Sequence, residues 1–506
     1  MTTSTYLRYE WALWIALYAV FSILFLSFTV DDAYISFRYG YNLIHHGIWN
    51  WNPDHDYVEA YTSGLYTFLA IVPLWLGISP ILFFKIIGVS CLARLVWRVR
   101  SLCTDPHTRF VFTLFLLANS YTYIHTYSCL ETPLFMVLCM ELFAWLAENR
   151  SDVRRFYCLL LLLPLTRPDG GLLSVFAFAY YLWRRHSHIE RPAFLAGIIT
   201  LGIAYFSWRY WYFGYLLPNT FYAKQMQQIT FSSILVKLAL SIFYLGTICS
   251  LMMWIKQRDF RFIGLTALIT YALAYLPSAS WMNYADRFAF QLFVPAILAS
   301  AYYVQSFSKQ DFYKVCAALA LIIIMIDCDT DTITGKMIYG PKNYYTNRAL
   351  GEKFSTFQDK HYTLMSTDVG ALPYYSGWKT YDAFGLANAT IAHQGNSLGY
   401  MQSISPDVMM LTAIRNGAAG DENWESQIVT DYHQDVAYTY VKSSHLYQRV
   451  SFVPFNDHYY YIVFLKKDLP DFEALRHIVS DVAAQANTLN RKSVMEITDP
   501  LIGLDL

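Results

Sequence analysis

The sequence predicts a polytopic α-helical membrane protein with a C-terminal α/β unit, and three observations carry that prediction. Of its 506 residues, 56% are hydrophobic and only 15% charged, which is far more apolar than a water-soluble chain of this length needs. The apolar residues are gathered in long uncharged segments as far as residue 327, the pattern of helices that cross a bilayer. After that point the segments stop, and alternating strand-like runs mixed with helical ones begin, as in an α/β domain. The two regions are therefore divided as 1–328 and 329–506. Lysine plus arginine and aspartate plus glutamate both number 37, so no basic surface is available for nucleic acid.

The first segment, residues 11–30, is twenty residues without a charge, enough at about 1.5 Å per residue to cross a core of about 30 Å. It lacks a small-residue cleavage site before Asp31 and is read as an uncleaved anchor. Further apolar segments lie at 64–78, 80–97, 109–127, 132–147, 156–165, 170–183, 193–212, 231–254, 261–277, 288–306 and 313–327. Short basic clusters at 98–100, 149–155, 184–191, 256–261 and 308–314 mark one side of the membrane, the cytoplasmic one. For segment 80–97 to deliver the first cluster to that side, 64–78 has no room to cross. It is predicted to lie along the outer face as a juxtamembrane helix, leaving about eleven transmembrane helices. The short segments 156–165 and 170–183 form a broken pair around the TRPDG turn. Eight cysteines are scattered without a CxxC or a Cys/His spacing suited to zinc, and none follows Cys328.

This topology collects the polar loops on one face. The stretch Asp31–Ser63 places two adjacent acids at the exit of the first span, where a carboxylate needs water or a cation. If the chain continues as a helix, Asp31, Ile35, Arg38 and Asn42 share one side. Glu131 heads a span, as a helix-capping acid or as a catalytic one. Arg167 and Asp169 flank a turn, as a mutual pair or as ligand contacts. Lys224 and Arg287 end apolar runs, as interfacial anchors or as cation sites.

In the C-terminal unit, YTLMST at 362–367, KTYDAF at 379–384, VAYTYVK at 436–442 and YYYIVFLK at 459–466 read as strands. ALGEKFSTFQD and DFEALRHIVSDVAAQAN read as helices. The Gly370–Gly377 stretch, with its paired tyrosines, reads as a packed turn.

The strings DDAYISFRYGYNLIHHG, VEAYTS, LETPLF, LTRPDG, LLPNTFYAK, ADRF and DVGALPYYSG…YDAFGLAN resemble those of membrane glycosyltransferases with the GT-C fold, most of all mycobacterial-type cell-wall arabinofuranosyltransferases and their bacterial relatives. Asp31, Asp32, Arg38, Glu131, Arg167 and Lys224 match. The chain departs from the pattern at Cys129, where a glycine is usual, and at Ala60 and Tyr61, where the family is glycine-rich. The resemblance implies an inverting transferase that takes a pentose or hexose, arabinofuranose foremost, from a polyprenyl phosphate. Decaprenyl- or undecaprenyl-phospho-arabinofuranose is the implied donor, and an envelope glycan or exported protein the acceptor. The implied place is the outer face of a bacterial inner membrane, with no cofactor and no metal.

The residues can supply that chemistry. An acceptor hydroxyl needs a general base, and Asp31 and Asp32 are the paired acids at the membrane exit. Asp31 is the favoured base because it shares a helix side with Arg38. The leaving group is already an anionic phosphate and needs positive charge, for which Arg38, Lys224 and Arg287 are the candidates. Other side chains of the same strings, Tyr34, Asn42, His45, Glu59, Tyr61, Glu131, Arg167, Asp169 and Asn219, are the substrate-binding candidates. The alternative is a lipid-linked sugar flippase or transporter, in which the intramembrane acids and bases couple or gate. Against it, the polar residues cluster at one face, and the sequence shows no two-half repeat.

Overall fold

The computed structural model describes residues 3–185, 188–225, 231–276, 278, 283–414, 425–428, 434–456, 458–497 and 499–504. The apolar segments fold as helices whose starts are written locally. Ser79 accepts from the amide of Leu82 with Pro80 in the first turn, Asp105 accepts from Thr108 with Pro106 following, and Asp152 and Ser308 do the same for the next helices that begin at basic clusters. Such caps satisfy amides that have no intrahelical partner. Among the described residues, three helices, Pro80–Leu102, Pro192–Phe213 and Tyr284–Val304, are long and apolar enough to cross a membrane alone. Two bent pairs, Ser120–Tyr127 with Thr132–Ala147 at 114° and Phe231–Leu240 with Ile242–Trp254 at 64°, raise this to five. Segment 109–127, expected as one helix, is broken into Pro106–Leu117 and Ser120–Tyr127, because Asn119 leaves the helix and caps the second piece through Tyr121. Residues 64–75 form two short helices, Gly64–Leu69 and Ile71–Trp75, neither long enough to cross.

The bundle has two chemically distinct ends. At one, Arg100 pairs with Glu10 at 2.5 Å, Arg98 with Glu141 at 3.2 Å and with Glu148, and Arg184 with Asp259 at 2.7 Å. At the other, the Lys85 ammonium donates to the carbonyls of Phe28 and Tyr127. The helices α1 (Thr3–Phe25) and Pro80–Leu102 run antiparallel, so Glu10 and Arg100 mark the basic end and Phe28 and Lys85 the end that carries the candidate acids. From the second end the chain passes into α2 (Ala33–His46).

Among the described residues the C-terminal unit has five strands, β1 (Thr363–Ser366), β2 (Lys379–Asp382), β3 (Val408–Ile414), β4 (Tyr447–Pro454) and β5 (Tyr459–Lys466), in the order β2-β1-β3-β5-β4. β1 is parallel to β2 and β3, whereas β5 is antiparallel to β3 and β4. Side chains alternate between two faces. Leu364, Val408 and Met410 pack with Leu475, Val479 and Val482 of the helix Phe472–Asn490, while Met365, Met409 and Leu411 pack with Ala437 and Tyr440. The stretch 436–442, expected as a strand, is inside the helix Gln434–Ser444. Its buried residues Ala437, Tyr440 and Val441 have helical spacing, and the apparent alternation was incidental. Strands β3 and β4 were not foreseen. The helix Thr330–Asn343 joins the two regions and crosses so close to α1 that a Cβ on Gly340 would lie 2.1 Å from the Ser27 carbonyl oxygen.

Candidate active site

The turn between α1 and α2 is where the bundle meets the sheet. Asp31 is buried, and its two carboxylate oxygens accept 2.9 Å hydrogen bonds from the amides of Gly370 and Ala371, at the start of the helix Ala371–Ser376. A carboxylate at that position satisfies orphan amides and complements the helix dipole. Gly370 is required there, because a Cβ would sit 2.0 Å from the Asp31 carbonyl oxygen. Asp31 is thus the anchor of the C-terminal unit. Asp32 sits next to it without a side-chain capping bond, and its carboxylate makes no hydrogen bond or ion pair among the described residues.

Both aspartates line a cavity of about 290 Å³ together with Arg287, Lys336, Asp368 and a set of aromatic rings that includes Phe28, Tyr284, Tyr339 and Tyr459. Burial raises the proton affinity of Asp32, the charges of Lys224 and Arg287 oppose that rise, and Glu131 adds to it. Burial, and secondly the charge of Asp368, push the Asp31 carboxyl up to about 7. Burial pulls the Lys224 ammonium down to about 8, with Asp32 working the other way. Lys336 lies over the rings of Tyr284, Tyr339 and Phe28 at 4.5, 5.4 and 5.5 Å, a cation held by aromatic faces.

Behind this wall is a closed ionic network. Glu131 accepts from Arg287 at 2.7 Å and from Arg167, Arg287 also donates to the Thr132 hydroxyl at 3.2 Å, and Arg167 donates to Asp169 at 3.1 Å. Tyr275 donates to Asp169 and receives a 2.5 Å bond from Gln291. Although burial works against it, Glu131 is held below the usual carboxylate range by Arg287 and Arg167. Two acids and two bases cancel, so the network orients Arg287 toward the cavity without adding net charge.

Several expected site residues are placed elsewhere. Arg38 was expected at the donor phosphate, yet it is 3% exposed and makes four hydrogen bonds to internal acceptors. It donates to the Trp51 carbonyl at 2.6 Å, the Trp378 carbonyl at 2.7 Å, Asn52 at 3.0 Å and the Pro373 carbonyl. The common side of α2 does exist, but its residues knit the first loop: Asn42 donates to the carbonyls of Asn50 and Trp51. Asp31 lies before α2, and its carboxylate is bound by the amides of Gly370 and Ala371 and not by Arg38, which removes the ground on which it was favoured over Asp32 as base. Glu59 is bound by Arg209 at 2.6 and 2.7 Å, and Tyr61 accepts from Trp49 at 3.1 Å. Tyr34 packs against Phe37, Tyr374 and Tyr375. His45 stacks on Tyr41, thirteen residues and about 20 Å along α2 from Asp32. Asn219 donates to the carbonyls of Gly385 and Leu386, tying the Lys224 helix Asn219–Gln225 to the loop after β2. Lys336, Asp368, Tyr339 and Tyr459 were missed. Asp368 had a signal, an acid at the end of a strand in DVGALPYYSG, whereas nothing in the sequence around Lys336 distinguishes it.

The overall fold is shared with a solved structure. The crystal structure of ArnT from Cupriavidus metallidurans bound to undecaprenyl phosphate matches with a TM-score of 0.56 at 10% identity, covering 91% of this chain and 98% of that one. The chain therefore has the fold of the GT-C membrane glycosyltransferases. Residues 341–464, which carry the sheet, match the family described as "Domain of unknown function (DUF8728)". No curated protein matches the chain.

Proposed function

We propose that this protein is an inverting glycosyltransferase that moves a sugar from a polyprenyl phosphate to an acceptor hydroxyl, with Asp32 as the base. The observation that carries the reading is the Asp32 carboxylate, which lines the cavity beside Arg287 with no hydrogen bond or ion pair among the described residues and interacts electrostatically with Lys224 and Arg287. In a single displacement Asp32 takes the acceptor proton as the new C–O bond forms. The bond from the anomeric carbon to phosphate breaks on the opposite side, which inverts the centre, and the lipid phosphate leaves as an anion beside Lys224 and Arg287. Undecaprenyl phosphate bound to ArnT supports a lipid of this class as the carrier. Arabinofuranose is the sugar favoured by the sequence resemblance, and an envelope glycan or exported protein the acceptor class.

The setting we assign is a multi-pass protein of a bacterial inner membrane, with about eleven spans and the site and residues 329–506 outside. Its support is that the basic pairs and the acid pair occupy opposite ends of the bundle, as the distribution of positive loops requires. Purified protein in vesicles, given undecaprenyl-phospho-arabinofuranose and an envelope glycan extract, is expected to yield transferred arabinose and free lipid phosphate. Intact donor moved across the vesicle without transfer would mark a flippase instead.

A further inference from the structure

The parallel part of the sheet has a polarity that bears on the cavity. β1, β2 and β3 run the same way. The chain leaves β1 through the helix Ala371–Ser376, whose Leu372 packs on one face, while β3 is followed by the helix Gln434–Ser444 on the other. Neighbouring strands whose connections depart to opposite faces leave a crevice at their carboxyl ends, and open α/β sheets bind ligands in that crevice. Here the crevice is the cavity: Thr367 and Asp368 follow β1, Phe384 and Leu386 follow β2, Ile414 ends β3, and all five line it.

The crevice is furnished with hydroxyls and an acid. Tyr459 donates to Asp368 at 3.1 Å, Tyr461 donates to the same carboxylate, the Thr412 and Tyr459 hydroxyls are 3.3 Å apart, and those of Thr367 and Thr412 2.5 Å apart. Thr367, Asp368 and Tyr459 are half-buried and open to the cavity. A carboxylate accepts from vicinal hydroxyls while the protein hydroxyls beside it donate to or accept from them, and the Tyr339 and Tyr459 rings offer faces for a sugar's C–H surface. It repels phosphate, and Lys224 and Arg287, the cations facing Asp32, are contributed by the bundle. The amide bonds from Gly370 and Ala371 to Asp31 fix this wall relative to Asp32.

Resting on the transferase reading, we infer that Asp368 and Tyr459 bind the acceptor saccharide, so that the sheet presents its hydroxyl to Asp32 while the bundle holds the lipid donor. The test uses the full chain in nanodiscs and a panel of methyl α-arabinofuranoside, methyl α-mannopyranoside, methyl β-galactopyranoside and methyl β-glucopyranoside, read by saturation-transfer NMR. Undecaprenyl phosphate binding is measured in parallel by native mass spectrometry. At least one glycoside is expected to bind, and Asp368→Asn and Tyr459→Phe are each expected to weaken it about tenfold while lipid binding and thermal stability hold. Binding is expected to persist when undecaprenyl-phospho-arabinofuranose is present. Displacement by that loaded donor would assign the wall to the donor's sugar, and either no glycoside binding or full binding in both variants would also overturn the inference. Lack of undecaprenyl phosphate binding by the wild type is the separate result that removes the transferase reading beneath it.

Discussion

The carboxylate of Asp31 accepts a 2.9 Å hydrogen bond from the amide of Gly370, a residue 339 positions further along the chain. With the companion bond from Ala371, it fixes the sheet above the neighbouring Asp32. The acid favoured as base from its position in the sequence is thus the one that ties the sheet to the end of the bundle.

Asp31→Asn exchanges an acceptor for a donor against two amides and is expected to cost about 1.5–3 kcal/mol. The effect should depend on pH. Burial and the charge of Asp368 raise this carboxyl to about 7, so the folded protein keeps a proton that the unfolded chain loses near pH ~4. The proton-linked part of its contribution is complete below that pH, declines as pH rises toward about 7, and is gone above, which leaves the two amide bonds alone. Melting curves should therefore show a larger gap between wild type and variant at about pH 5 than at about pH 8; an equal gap would refute the assignment.

Asp32→Asn is expected to fold and bind undecaprenyl phosphate normally while losing transfer by about 10²–10⁴-fold. Single-turnover assays with loaded donor read this directly. Near-normal turnover in this variant, with loss confined to Asp31→Asn, would return the base to Asp31.

Lys224→Ala is expected to weaken donor use by about 10–150-fold, the cost of one charge-assisted contact. Because the ammonium is pulled down to about 8 by burial, kcat/KM for the donor should fall as pH rises through that value. Lys224→Arg keeps its charge and should move the alkaline limb upward. A limb that stays put would assign it to another group.

Arg38→Met should behave as a structural lesion, because four buried acceptors each lose one of their donors at once. Thermal stability is expected to drop by about 3–5 kcal/mol. Protein that remains folded should keep its donor KM, whereas a raised donor KM with unchanged stability would restore Arg38 to the phosphate site.

In a cysteine-free background, His55→Cys and Tyr400→Cys are expected to react with an impermeant maleimide in intact cells, and Ser187→Cys only after permeabilisation. The opposite pattern would invert the proposed orientation.

The apolar helical segments and the appearance of strands beyond them were legible in the sequence, because apolar periodicity and helix capping act over a few residues and leave a local pattern. The helix Gln434–Ser444 and strands β3 and β4 were not, since short apolar runs satisfy both periods and the neighbours that decide between them lie far along the chain. The same holds within the site. Sequence order made Asp31 and Asp32 equivalent and aligned one of them with Arg38. Only the fold brought the amides of Gly370 and Ala371 to Asp31, spent Arg38 on carbonyls from two distant loops, and set Lys224, Arg287, Lys336 and Asp368 around Asp32. Those partners are separated by hundreds of residues, and what a buried charge does is fixed by which groups are packed within a few ångströms of it, a distance that chain order does not encode.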